Sequence, residues 1–287
     1  MPELPEVETI ASGLQKRVAG DVIESVWLGS KPQTMKSRPA DIAATLEHTR
    51  ITQVRRMGKH IVFELERNGV TRTVGSAKGR KAAKNLGPHS QWIVHLGMTG
   101  RLVVCEPDAE IVKHTHAVVR LKSGRELRFI DPRRFGRLSV ASQGDFDAGG
   151  IEPLDVELDR FLALFRRRKT PIKSALLNQK LLRGVGNIYA DESLFRAGIR
   201  PRRRTNTITS AQFEKLHEAV REVLREAIAL GGSSISDYVD ADGEEGFFQL
   251  QHRVYGREGE PCLVCKTPIR RVVIVGRSSH YCPKCQK

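Results

Sequence analysis

The sequence predicts an α+β protein with an N-terminal helix and a β-sandwich, a helical second half and a small β-hairpin finger at its C-terminus. Apolar residues recur first at helical spacing, then in short strand-like runs between turn residues, and later again at helical spacing. Two Cys-x-x-Cys pairs follow near the C-terminus. These observations divide the chain into a first domain over 1–140, a linker over 141–152, a helical domain over 153–255 and a finger over 256–287.

The first half begins with one amphipathic helix and continues as strands. From Val7 to Val18 apolar residues lie three or four positions apart, and Gly20 ends the helix. Beyond residue 22 the pattern changes to short runs separated by turn residues, which favours a β-sandwich or a barrel. The clearest predicted strands are 61–65, 92–96, 117–121 and 126–130.

The second half is predicted to be mainly helical, after a Gly- and Asp-containing linker over 142–150. The predicted helices are 158–165, 172–182, 188–197 and 209–230. Two stretches lack a clear period. The basic part of 68–91, residues 73–85, predicts an inserted, mobile loop, and 231–246 is rich in Gly, Ser and Asp, a composition that suits a lid.

The cysteines indicate a metal site. Two Cys-x-x-Cys pairs separated by 16 residues have the spacing of a zinc site, and four thiolates suit tetrahedral Zn²⁺. The predicted ligands of one structural zinc ion are Cys262, Cys265, Cys282 and Cys285. Because protein fills all four positions, the metal is not expected to take part in catalysis. The residues between the pairs predict a β-hairpin with Arg277 near its tip, and the fifth cysteine, Cys105, is expected to be a core thiol.

The charge balance indicates a polyanionic partner. Lys and Arg total 48 against 33 acidic residues, which gives a net charge of +15 and a pI near 9.9. Nucleic acid is the favoured partner, and an anionic membrane surface is a weaker alternative. No apolar stretch approaches the length of a membrane span, the N-terminus lacks a secretory signal, and the cysteine usage suits a reducing cytosol.

Pro2 is a candidate nucleophile. If Met1 is removed, Pro2 presents a secondary amine, and an α-amino group titrates near ~7.7–8.0, well below lysine. Such an amine can form a Schiff base with an aldehyde-level carbon, and Glu3 beside it can transfer protons. The alternative is an ordinary N-terminus in which Pro and Glu only begin a helix.

Three further motifs suit a nucleic-acid enzyme. The Gly-x-Gly turn before Asn187 can expose amides to a phosphate at a helix N-terminus, although tight turns between helices also use glycine. The loop 131–136 exposes Arg133 and Phe135, a pair able to fill the gap left by an extruded base. Met98 is a second apolar wedge, and Lys59 a possible electrostatic partner, while core packing and a solvated charge are the plain alternatives for these two.

Taken together, these motifs closely resemble the bacterial formamidopyrimidine-DNA glycosylase family. The resemblance rests on PELPEVE, GKH, HLGMTG, DPRRFG, KTPIKSALL, GVGNIYADESLF, VYGREGEPC and the cysteine module, in this order over nearly the whole chain. It implies an N-terminal β-sandwich, a helix–two-turn–helix domain and a zinc finger. It also implies a bifunctional glycosylase/lyase that excises oxidised purines, 8-oxoguanine and formamidopyrimidines, from damaged double-stranded DNA.

The resemblance also assigns roles to individual residues. Pro2 would attack the sugar C1′ with Glu3 as acid/base partner, Lys59 would act in elimination, and Arg277 would contact phosphate and assist δ-elimination. The residues implied to fill the void and meet the orphaned base are Met98, Arg133 and Phe135. Those implied to contact DNA are His114, Arg168, Lys173 and Asn187, and the acidic residues implied near the site are Glu6 and Glu192. The expected setting is a monomer in the bacterial cytoplasm, associated with the nucleoid and not with a membrane.

The sequence departs from the family pattern in two places. The 68–91 segment lengthens the distance between Lys59 and Met98, which leaves its effect on DNA affinity open, and Arg168 stands where some relatives carry lysine. Three alternatives remain. The endonuclease VIII type is opposed by Leu4 and by the 131–136 loop, a non-catalytic DNA-binding module makes no use of Pro2, and an RNA-binding scaffold lacks aromatic platforms.

Overall fold

The computed structural model describes residues 1–67, 86–234 and 246–287. Its described residues form two compact units. The first comprises Met1–Pro2 and Glu6–Asp147, and the second comprises Glu3–Pro5, Ala148–Ser234 and Gly246–Lys287. The inserted loop predicted over 73–85 and residues 235–245 of the stretch 231–246 lie outside the described residues.

The first unit contains two four-stranded antiparallel sheets. Its elements are α1 (Leu4–Val18), β1 (Ile23–Leu28), α2 (Pro39–Leu46), β2 (Arg50–Met57), β3 (His60–Glu66), β4 (His89–His95), β5 (Arg101–Cys105), β6 (Thr115–Leu121), β7 (Glu126–Ile130) and β8 (Arg137–Ser142). One sheet has the order β1-β6-β7-β5 and the other β2-β3-β4-β8. Between β3 and β4, Phe63 lies opposite Trp92.

The core of the first unit joins both sheets to α1. Phe63, Trp92 and Phe129 are almost completely buried, and the apolar face of α1 packs into the same cluster through Ile10 and Leu14. The predicted β-sandwich is therefore confirmed. The sequence analysis missed α2, since eight residues give too few turns for a helical period to stand out, although Pro39 occupies a position that suits a first helical turn.

Helices dominate the second unit. They are α3 (Leu158–Phe165), α4 (Ile172–Leu176), α5 (Asn187–Arg196) and α6 (Ser210–Ala229). Thr209 and Gln212 form a capping box at the start of α6. The predicted helix over 172–182 is too long, because α4 ends at Leu176 and the N–H of Lys180 does not donate to the carbonyl oxygen of Leu176 as it would in a continued helix. An asparagine side chain also competes for backbone donors, and here Asn178 accepts from the N–H of Lys180.

The finger is a two-stranded antiparallel hairpin of β9 (Arg270–Ile274) and β10 (Arg277–Tyr281). Val275 and Gly276 form its turn with φ of 47° and 73°, the left-handed pair that suits the twist of a tight hairpin. Arg277 is the first residue of β10 and is exposed, next to the tip as expected.

Over the parts of the chain that the structure describes, none of the helices has the length and apolar character needed to cross a bilayer.

Candidate active site

The N-terminus of α1 is tied to the turn that carries Lys59. Glu8 pairs with Arg56 at 2.6 Å, and Arg56 donates to the carbonyl oxygen of Gly58 at 3.4 Å. Gly58 has a φ of 60°, which allows the two-residue turn between β2 and β3. Pro2 and Lys59 are both buried, whereas Met1 is exposed. The first unit therefore holds Lys59 on a turn that Arg56 ties to α1.

Two histidine rings are in contact beside Lys59 and lie tilted to each other. The rings of His60 and His95 lie 4.9 Å apart across β3 and β4, and Phe146 contacts the ring of His60 at 5.0 Å. Burial lowers the pKa of each histidine to about 4, and the nearby cations Lys36, Lys59 and Arg137 add to the shift of His95. The N–H of Gly97 donates to Nδ1 of His95 at 3.1 Å, which fixes the neutral ring against the loop that carries Met98.

These histidines predict a loss of stability in mild acid. The unfolded chain binds protons at its ordinary histidine pKa near 6.5, whereas the folded state binds them only near pH 4, so the free energy of unfolding decreases as pH falls through this window. We expect the melting temperature of His95→Gln to fall less between pH 6.5 and 4.5 than that of the unchanged protein. His89→Gln, at an exposed position of the same strand, is the control. Identical slopes for all three proteins would contradict the prediction.

Two loops are locked together around Asp131. The hydroxyl of Thr99 donates to Asp131 Oδ1 at 2.6 Å, and the N–H of Gly136 donates to Oδ2 at 2.7 Å. A side chain at Gly97 would place its Cβ 2.5 Å from the backbone nitrogen of Gly136, so only glycine permits this approach. The loops 96–100 and 131–136 therefore form one rigid corner of the first unit.

The wedge residues predicted from the sequence project from this corner. Met98 is 41% exposed and Phe135 is 47% exposed, although both are apolar. The guanidinium of Arg133 lies 4.9 Å from the centroid of the Phe135 ring. His114 is exposed, has a φ of 71°, and accepts the N–H of Asp131 on its carbonyl oxygen. The structure brings these four residues to adjoining loops.

The second unit fixes the Glu3 carboxylate at the start of α5. Glu3 is buried, and its oxygens accept from the N–H of Ile188 at 3.1 Å and of Tyr189 at 3.5 Å. The amides at a helix N-terminus favour a negative charge. The sequence analysis suggested that these amides bind a phosphate. In the structure they donate to the carboxylate of Glu3.

Gly186 allows this arrangement. A Cβ at Gly186 would lie 2.5 Å from Glu3 Oε1, and the φ of Gly186 is −129°, so alanine would be opposed by the carboxylate and not by the backbone. We expect Gly186→Ala to displace Glu3 and to reduce the base excision that the family resemblance implies at least 10-fold while the protein remains folded, since about 1.4 kcal/mol of lost stabilisation already has this effect. Single-turnover excision measures it, with Gly29→Ala as control, where the nearest atoms are 3.5 Å away. Unchanged excision would contradict the prediction.

Glu192 organises the backbone of the segment 253–255. The buried carboxylate of Glu192 accepts from the N–H groups of Arg253, Val254 and Tyr255 at 2.8–3.0 Å. Burial raises the pKa of Glu192, against the opposing effect of these three donors. Burial also raises the pKa of Tyr255, and Asn187 opposes this shift. Glu192 thus fixes the segment 253–255 through main-chain contacts.

Lys173, which the resemblance implies to contact DNA, is completely buried. Its Nζ lies 2.7 Å from Asp191 Oδ1 and donates to the carbonyl oxygen of Ser278 at 2.6 Å. Asp191 in turn accepts from the backbone N–H of His280 at 2.8 Å. The pair therefore attaches β10 to α4 and α5, directly beside Arg277.

Electrostatics link Lys173 to two other predicted site residues. Burial lowers its pKa most, Asp191 and Glu3 raise it, and Arg277 lowers it. Glu3, Lys173 and Arg277 therefore share one electrostatic environment within the second unit. Arg168 is exposed and donates from Nε to the carbonyl oxygen of Leu164 at 2.9 Å.

The four predicted zinc ligands converge. Their sulfur atoms all lie within 4.8 Å of one another, with 3.9 Å between Cys262 and Cys285 and 3.4 Å between Cys265 and Cys282. Tetrahedral Zn²⁺ with Zn–S distances of about 2.3 Å requires sulfur atoms roughly 3.8 Å apart, so this donor set fits the metal. All five cysteines are free of disulfides.

Comparisons with known proteins agree with this geometry. Residues 1–138 match the N-terminal domain of formamidopyrimidine-DNA glycosylase, residues 150–239 match its H2TH domain, and residues 259–287 match the zinc finger found in FPG and IleRS. A formamidopyrimidine-DNA glycosylase of Solibacter usitatus is 45% identical over the full length of both chains. The chain belongs to the formamidopyrimidine-DNA glycosylase family.

Solved structures of the family share the fold. The MutM (Fpg) protein of Thermus thermophilus has a TM-score of 0.82 at 39% identity, over 99% of this chain and 98% of that one. The Lactococcus lactis Fpg (MutM), solved with DNA containing N7-benzyl-Fapy-dG, has a TM-score of 0.85 at 32% identity over 100% of both chains. The predicted family, fold and single structural zinc ion are confirmed.

The sequence analysis missed two carboxylates in this member of the formamidopyrimidine-DNA glycosylase family. Asp131 and Asp191 are both completely buried. Asp131 holds the loops 96–100 and 131–136 together, and Asp191 holds β10. A signal exists for Asp131, because an Asp-Pro pair that ends a strand is typical of a turn closed by its own carboxylate. Asp191 lies in the middle of a helix, where sequence gives no indication that it faces the finger.

Proposed function

We propose that this chain is a bifunctional DNA glycosylase and abasic-site lyase that removes oxidised purines from duplex DNA. The observation that carries the proposal is the position of Glu3, a buried carboxylate held by two helix amides and adjacent in the chain to Pro2. Support comes from the relatives, since the Solibacter protein is named as a formamidopyrimidine-DNA glycosylase and the Lactococcus protein was solved with modified Fapy-dG in DNA.

The proposed reaction begins at Pro2. After removal of Met1, the unprotonated amine attacks C1′ of the damaged nucleotide, the C1′–N bond breaks, and the base leaves with a proton. Glu3 supplies and accepts protons as the sugar ring opens and the amine becomes an iminium ion. The iminium acidifies the C2′ proton, whose removal expels the 3′ phosphate, and a second elimination expels the 5′ phosphate.

The remaining residues have proposed roles in this scheme. Lys59, rigidly placed after Gly58, assists proton transfer during elimination, and exposed Arg277 meets a phosphate. Met98, Arg133 and Phe135 fill the space of the extruded nucleotide, and His114, Arg168 and Asn187 contact the backbone. Buried Lys173 is proposed to assist DNA binding indirectly, because it holds β10 and so fixes the position of Arg277. A monomer associated with the bacterial nucleoid is part of the same proposal.

Borohydride trapping on duplex DNA with 8-oxoguanine opposite cytosine tests the function. We expect a covalent adduct whose mass maps to the N-terminal Pro2 peptide, strongly reduced in Pro2→Gly and retained in Pro107→Gly, a change at an exposed loop position. An adduct on Lys59 would overturn the assigned nucleophile. Tight binding without any adduct on oxidised or abasic DNA would favour a non-catalytic DNA-binding module.

A further inference from the structure

The second unit carries a concentration of positive charge that the proposed catalytic roles do not use. Residues 166–170 and 200–204 contain eight cationic residues in ten positions, one sixth of the Lys and Arg of the whole chain, and no acidic residue. These are Arg166, Arg167, Arg168, Lys169, Arg200, Arg202, Arg203 and Arg204. Only Arg168 has a role in the scheme above.

The fold places the two basic segments side by side. Pro171 and Arg204 form an antiparallel β-bridge, the N–H of Ile172 donates to the carbonyl oxygen of Arg203 at 2.8 Å, and the N–H of Thr205 donates to that of Thr170 at 3.1 Å. The hydroxyl of Thr205 also donates to the carbonyl oxygen of Arg168. The segments therefore act as one surface on a fixed backbone.

Two of the eight cationic side chains each make two hydrogen bonds to the protein itself, whereas Arg168 and Arg202 each make one, to the carbonyl oxygens of Leu164 and Val273. Arg200 donates to the carbonyl oxygens of Gln286 and Pro283, and Arg203 to that of Thr207. The other six are exposed and are called here the basic surface: Arg166, Arg167, Arg168, Lys169, Arg202 and Arg204. Concentrated charge of one sign destabilises a folded protein by self-repulsion. A binding role explains why these six cationic side chains are nevertheless close together.

We propose that the basic surface binds the phosphate backbone of duplex DNA outside the lesion, independently of sequence and damage. Arginine pairs with phosphate through two parallel hydrogen bonds, which suits a row of backbone phosphates. Neither segment contains an aromatic residue on which unpaired bases could stack, which favours a duplex over single-stranded DNA or RNA. The choice of DNA as the polyanion rests on the proposed function, and Arg168 connects the two sites.

The test is the salt dependence of binding to undamaged 30-base-pair DNA. The logarithm of the binding constant falls linearly with the logarithm of the salt concentration, and each lost phosphate contact makes this fall less steep by about 0.9. Arg202→Gln/Arg204→Gln should therefore reduce the steepness by roughly 1–2 and weaken binding to damaged and undamaged duplexes alike. Because Arg202 also contacts the carbonyl oxygen of Val273 in the finger, Arg166→Gln/Arg167→Gln provides an independent pair. Lys215→Gln/Arg225→Gln, at exposed positions of α6, removes the same charge elsewhere in the unit.

The outcomes separate this proposal from the proposed function. A less steep salt dependence of binding in both basic-surface variants, with a clearly smaller change in the α6 control, supports the inference. An unchanged slope, an equal change in the control, or a loss confined to single-stranded DNA or anionic vesicles overturns it. Failure of the unchanged protein to trap oxidised DNA would sink the glycosylase proposal and leave the result on undamaged duplex standing.

Discussion

Replacing Glu3 by Gln should lower base excision by roughly 10²–10⁴-fold, the usual contribution of a positioned general acid or base. A glutamine has nearly the same shape and its carbonyl oxygen can still accept from the N–H of Ile188, so the second unit should remain folded. What it lacks is a proton that it can give up or take at neutral pH. The measurement is single-turnover release of 8-oxoguanine from duplex DNA.

The pattern across substrates makes the Glu3 prediction sharper. An abasic site already carries an aldehyde-level carbon, so the proposed Schiff base of Pro2 can form there without release of a base. Glu3→Gln should therefore lose much more activity on 8-oxoguanine than trapping on abasic DNA. Glu24→Gln, at an exposed position of β1, controls for the loss of one negative charge. Equal losses on both substrates would mean that Glu3 acts in a step they share.

A comparison with Gly186→Ala tests how Glu3 is held. The alanine leaves the carboxylate in the chain but removes the space that it occupies, whereas Glu3→Gln leaves the space and removes the charge. If both variants lose excision and keep abasic-site trapping, position and charge are both required. The helix amides of α5 then act as the support of a catalytic carboxylate.

Local signals explain how much of the fold could be predicted. The cysteine spacing, the hairpin with Arg277 near its tip, and the helix α6 after Thr209 each depend on residues close in sequence. The helix predicted over 172–182 was too long because a continuous apolar pattern does not reveal that the Asn178 side chain accepts from the N–H of Lys180 in place of a helical carbonyl. Sequence periodicity reports which residues are buried, and not where a helix loses its hydrogen bonds.

Two contacts at the site have a tertiary cause. Glu3 lies more than 180 residues before the amides that it accepts from, so the sequence could indicate an anion site at α5 but not which anion fills it. The family resemblance implies that Lys173 contacts DNA. In the structure its ammonium group is buried and forms an ion pair with Asp191, which lies on the next helix. Both pairings depend on packing between helices, which no local pattern encodes.

Loss of the zinc ion should have the other large effect, and it should be confined to the second unit. Structural zinc sites contribute apparent binding free energies of about 10–16 kcal/mol, which become folding free energy of the segment that holds the metal. Cys262→Ser should therefore unfold the finger, remove the support of Arg277 and weaken DNA binding. Both tryptophans of the chain, Trp27 and Trp92, lie in the first unit, so its unfolding can be followed separately by fluorescence.

The products of strand cleavage show what the finger contributes to chemistry. If Arg277 assists the second elimination, Cys262→Ser should still trap Pro2 on abasic DNA but yield mainly the β-elimination product. Cys105→Ser is the matched control, since Cys105 lies on β5 and should leave one zinc ion per chain by metal analysis. Full zinc content and unchanged δ-elimination in Cys262→Ser would remove this cysteine from the metal site. If an Arg277→Ala variant keeps its zinc ion but, like Cys262→Ser, yields mainly the β-elimination product, the effect belongs to the arginine and not to the fold of the finger.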